Sequence, residues 1–71
     1  MRIEIPERTI HMIAELLKDG DYTNISNKMY GNASARTVVS RTIANGHGDS
    51  KVVAAIVQYF DEKKKIVSQL Q

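Results

Sequence analysis

One proline and four glycines divide this chain into helical lengths. Pro6, Gly20, Gly31, Gly46 and Gly48 leave three intervals of about three to four turns and one longer closing stretch. Pro6 suits the first position of a helix, where its missing N–H costs nothing. Ile10, Ile13, Ala14 and Leu17 follow on one helical face, and Gly20 supplies a stop. This predicts a first helix over residues 6–19. Thr23 is a good N-cap for a second helix carrying Ile25, Met29 and Tyr30, which Gly31 ends. That helix has only about two turns, so packing must hold it.

Asn32 and Ser34 can cap a third helix. On a wheel with Arg36 at zero, Ser40, Ala44, Thr37 and Arg41 fall within about 140°. Val38, Thr42, Ala35, Val39 and Ile43 occupy roughly 200–340°. One face is apolar; the other holds two arginines, two hydroxyls and an alanine. Asn45-Gly46 ends this helix and His47-Gly48 reads as a flexible loop. Asp49 or Ser50 caps a last helix on which Val52, Val53, Ile56, Tyr59 and Phe60 share a face. The helix reaches residue 65 or beyond, and Val67 and Leu70 continue its stripe after Lys63. Met1–Ile5 alternates weakly. With nothing strand-like nearby to pair with, it reads as an extended arm rather than a strand. The expected fold is a single all-α, compact four-helix domain spanning residues 1–71, with the second and third helices at its centre.

With 71 residues, 42% hydrophobic and only four aromatics, the chain has a small core, and chains of this size often add a partner. There is little room for a catalytic cleft, and no enzyme is expected. Cysteine is absent, which removes disulfides and thiolate metal sites. His11 and His47 lie far apart with no matching acidic spacing, so no metal and no cofactor is expected. Gly46-His47-Gly48 is not followed by the Gly-Lys-Ser/Thr of a phosphate loop. No apolar run is long enough to span a bilayer and no signal-peptide succession opens the sequence, so a cytoplasmic protein away from membranes is expected.

Net charge is +2 but unevenly placed. Residues 1–21 carry Arg2, Arg8 and Lys18 against Glu4, Glu7, Glu15, Asp19 and Asp21, a balance of −2. Residues 22–52 carry Lys28, Arg36, Arg41 and Lys51 against Asp49, a balance of +3. The basic zone therefore contains the amphipathic third helix. A basic helix face is most often simply solvated. Here a short helix and a tight turn precede it, a geometry suited to the major groove, which is about 12 Å wide and admits one helix. Arg36 and Arg41 can bond guanine O6 and N7, while the short side chains of Thr37 and Ser40 allow close approach.

The run Asn24-Ile-Ser-Asn-Lys-Met-Tyr-Gly-Asn-Ala-Ser-Ala-Arg-Thr-Val-Val-Ser-Arg-Thr-Ile-Ala-Asn-Gly46 resembles the helix-turn-helix of Cro/lambda-repressor-type DNA-binding proteins, small phage-type regulators in particular. Ile25, Gly31, Ser34, Thr37, Val39-Ser40-Arg41 and Asn45-Gly46 carry the resemblance. Ser26 stands where the family usually has Ala, and the turn and third helix are a little longer than the pattern. Aligned by Ser34, Val38 is the buried residue; aligned by Ser40-Arg41, Val39 is.

The resemblance implies a transcriptional regulator that reads duplex DNA with Arg36, Thr37, Ser40 and Arg41. Thr23, Asn24, Lys28, Asn45, His47 and Lys51 are then candidates for phosphate contacts. Tyr59, Phe60, Ile66, Val67 and Leu70 exceed what a short core needs; core is one use for them, and the seam of a homodimer on paired half-sites is the expected one. No small-molecule effector is expected. Two other uses of such a chain are a helical protein-interaction module (an antitoxin, anti-repressor or assembly subunit) and a DNA-architectural or recombination accessory protein.

Overall fold

The computed structural model describes residues 1–70. The elements run β1 (Arg2–Glu4), α1 (Glu7–Leu16), α2 (Asp19–Tyr30), α3 (Arg36–Asn45), β2 (His47–Asp49) and α4 (Ser50–Leu70). The domain is all-α in character: four helices form a compact body and the two strands are minor. Ile5, Ile13, Leu17, Ile25, Val39, Ile43, Val52, Val53, Ile56 and Phe60 form one core to which every helix contributes.

The first two helices divide differently from the sequence reading. α1 stops at Leu16, because Leu17 turns extended (φ −90°, ψ 138°) while burying its side chain. Lys18 is extended as well, and the Asp21 carboxylate accepts its backbone N–H at 2.8 Å. That bond starts α2 at Asp19. Gly20 is therefore not a stop but part of the first turn of α2, and Thr23 lies inside the helix rather than at its cap. Ala14, expected on the buried face of α1, is exposed.

α2 ends at Gly31, whose positive φ of 76° reverses the chain. Between α2 and α3, Ser26 is fully buried. Its hydroxyl donates to the Asn32 carbonyl at 2.7 Å and accepts the Ala35 N–H at 3.0 Å. The Asn32 side chain in turn accepts the Ser34 N–H at 2.9 Å. Ser26 and the turn after Gly31 are thus one feature: the hydroxyl satisfies two backbone groups that the turn leaves free.

In α3, Val39, Thr42 and Ile43 are buried. Val39 is the core residue of the two alternatives, and Val38 is 48% exposed. Gly46, with φ 77°, turns the chain out of α3. Residues 47–49 then pair antiparallel with residues 2–4, in the register Arg2↔Asp49, Ile3↔Gly48 and Glu4↔His47. Neither the extended arm nor the flexible loop is present; each is the other's strand partner. Buried Ile5 anchors the ribbon, and its N–H bonds the Gly46 carbonyl at 2.8 Å. Gly48 is buried beneath Thr42, whose Cγ2 would lie 2.9 Å from an added Cβ. The room its missing side chain leaves serves packing within the protein.

α4 has 21 residues, about 31 Å of helix. Its first half packs against the other helices. Phe60, expected in a dimer seam, belongs to the core. Tyr59 is half-buried against that core and donates its hydroxyl to Asp21 at 2.7 Å. Of the expected seam, Ile66 and Leu70 are exposed and Val67 is half-buried. No described helix is long and apolar enough to cross a membrane.

Candidate nucleic-acid interface

α3 turns Val39, Thr42 and Ile43 inward, so the side chains on the other arc must face out. Arg36, Thr37, Ser40 and Arg41 are all exposed, with Ala44 among them and Val38 at one edge. Among the described residues, no hydrogen bond or ion pair within the protein holds any of these four side chains. The ridge is therefore free to meet a partner. Arg36 and Thr37 belong to the first turn of α3, where the helix carries partial positive charge. A cleft of about 270 Å³ separates this turn from the start of α2; Asp19, Tyr22, Arg36, Thr37 and Ser40 line it.

The six expected phosphate contacts do not form one group. Thr23 is half-buried inside α2. Asn24 is turned toward α4, its side-chain amide donating to the Tyr59 hydroxyl at 3.1 Å. Lys28 pairs with Glu62 at 3.3 Å and lies 5.4 Å from the centre of the Tyr59 ring. These two side chains tie α2 to α4. Asn45 and His47 line a groove of about 580 Å³ that Glu4 and Glu7 share, at the negative end of α3. His47 Nδ1 also accepts a hydrogen bond from Arg2 at 2.8 Å. Two carboxylates and a helix C-terminus make that groove a poor seat for phosphate. Lys51 is exposed in the first turn of α4.

Two residues outside the sequence-based set line the cleft beside the ridge: Asp19 and Tyr22, both in the first turn of α2. A cap at Thr23 starts α2 one turn too late to include them. The signal available was Asp21, three residues after Lys18, at the position from which a carboxylate reaches back to a cap N–H.

The Asp21 carboxylate has three hydrogen-bond partners: the Lys18 N–H, the Tyr59 hydroxyl and the Lys63 ammonium. Burial pushes its carboxyl pKa up. The Lys63 ammonium, the Lys18 N–H and the Tyr59 hydroxyl more than offset that, and hold it below the ordinary aspartate value. No three His, Asp or Glu side chains gather closely enough to hold a metal ion among the described residues.

Compared with family models, curated proteins and solved structures, the chain matches none.

Proposed function

We propose that this chain binds duplex DNA, with α3 in the major groove, and acts as a small transcriptional regulator of the repressor type. The observation that carries the reading is the ridge of Arg36, Thr37, Ser40 and Arg41. It is exposed, without internal partners, and backed by a buried apolar stripe on a short helix. Arginines of this kind read guanine, and the small hydroxyls between them admit close contact with bases or phosphates. Tyr22, in the first turn of α2, lines the cleft beside Arg36 and can bond the adjoining backbone through its hydroxyl, with Lys51 adding charge from α4. Val38 at the ridge's edge offers methyl groups to a thymine methyl. The reading needs no cofactor and no small-molecule effector, and the compartment that goes with it is the cytoplasm. Four side chains specify few base pairs, so a homodimer on two half-sites about 34 Å apart is the form that gives useful specificity.

The test is titration of a duplex selected from a random pool, and of a random duplex, at about 50 and 200 mM salt. Wild-type affinity should fall steeply with salt, because bound phosphates release counterions. An Arg36→Ala, Arg41→Ala double variant should lose ~1–3 kcal/mol for each base contact removed, and with it most discrimination between the duplexes. A double variant that binds both duplexes as the wild type does overturns the assignment.

A further inference from the structure

The two arginines of the ridge do not sit side by side. With Arg36 at zero on the α3 wheel, Arg41 falls near 140°, and Ser40, Ala44 and Thr37 fill the arc between them at about 40°, 80° and 100°. The line of the ridge that meets a groove floor squarely is therefore made of small side chains. Each arginine flanks that line at about 70°, on its own side. Along the axis the two lie five residues, or about 7.5 Å, apart. The C-terminal end of α3 does not extend this span. Glu4 and Glu7 line the groove there and the helix end carries partial negative charge, so a duplex is met by the N-terminal half.

An arginine at the flank of a groove-bound helix has two targets on its side: a phosphate of the near strand, or a base edge of that strand. The neighbours of each arginine decide between them. Asp19 lines the same cleft as Arg36 and is exposed. Among the described residues, no hydrogen bond or ion pair engages its carboxylate. A free carboxylate there repels phosphate, which leaves the neutral Tyr22 hydroxyl as the backbone contact on that wall. Beside Arg41, three residues back on the same face, stands Val38, 48% exposed. Its methyl groups gain nothing from a phosphate and suit a thymine methyl.

We infer that the duplex read by this chain carries two guanines on opposite strands, one for Arg36 and one for Arg41, with a thymine beside the guanine of Arg41. This rests on the DNA-binding reading above and adds to it the bases and the strands of the site. The opposite flanks of the arginines set the strands. Their axial separation sets the distance, no more than about two base pairs at 3.4 Å each. Asp19 is the residue that steers Arg36 off the backbone. A complex in which Arg36 grips a phosphate brings Asp19 against that phosphate, so the carboxylate weakens binding to any duplex and weakens it most where no guanine is in reach.

Selection of duplexes from a random pool on the wild-type chain, read by sequencing, tests the assignment. The enriched sites should share a guanine on each strand at that separation. Repeated with Arg36→Ala, the selection should lose one of the two guanines and keep the other; with Arg41→Ala it should do the reverse. Each variant should bind the wild-type site about 5- to 150-fold more weakly. Asp19→Asn should bind a random duplex more tightly than the wild type does, and so narrow the ratio between selected and random duplex. Two guanines on one strand, sites lacking guanine, or arginine variants that weaken every duplex equally overturn the inference. So does an Asp19→Asn chain that discriminates as the wild type does. Failure of the DNA-binding reading looks different: the pool yields no enriched site and both arginine variants bind duplex as the wild type does, which removes both proposals.

Discussion

Ser26 shows how one hydroxyl sets the geometry on which the ridge depends. It is fully buried and bonds both Asn32 and Ala35, the two sides of the turn between α2 and α3. Ser26→Ala takes from the Asn32 carbonyl and the Ala35 N–H the partner that holds the turn. The expected cost is ~1–3 kcal/mol in urea unfolding. On the proposed DNA-binding reading, the same variant should weaken duplex affinity beyond its effect on stability, because the turn aims α3. If Ser26→Ala unfolds at the wild-type midpoint, the hydroxyl does not hold the turn. Ser26 and the Asn-Ala-Ser segment after Gly31 are both visible in the sequence. That one holds the other is not, since the link is a contact between positions six and nine residues apart.

At the scale of elements, α3 and the glycines at its two borders were legible because local chemistry decides them. A 3.6-residue period, Gly31 and Gly46 in the left-handed region, and a polar outer arc all lie within about fifteen residues. The boundary between α1 and α2 was not, because burial decides it. Leu17 leaves the helix to enter the core, and Asp21 reaches back to Lys18. Gly20, the residue that looked like the stop, has ordinary helical backbone and open space where a side chain would go. The two assignments predict opposite outcomes for Gly20→Ala. In the first turn of α2, alanine removes backbone freedom from the unfolded chain and should raise stability by about 0.5–1 kcal/mol. As a left-handed cap it would lower it. A thermal melt of the single variant decides between them. The β1–β2 pairing was illegible for a related reason: its strands have three residues each and lie 45 positions apart, so the weak alternation of Met1–Ile5 shows no partner within local reach.

For the molecule as a whole, the link between the start of α2 and the second half of α4 runs through Asp21. Tyr59 and Lys63, both on α4, bond its carboxylate, and Lys18 completes the set from the cap of α2. Because this arrangement holds the carboxyl below the ordinary aspartate value, it favours the charged form in the folded chain. The sign follows from linkage. Above the unfolded-state value of about 3.9 the contribution is fully present, and it is lost as pH falls through the lower folded value. Asp21→Asn should therefore lower the urea midpoint at neutral pH, equivalent to ~1–3 kcal/mol. The gap to wild type should stay constant from pH 7 to about 5 and close as acid protonates the wild-type carboxyl. A gap that persists unchanged to pH 2 would mean that shape rather than charge is what Asp21 supplies.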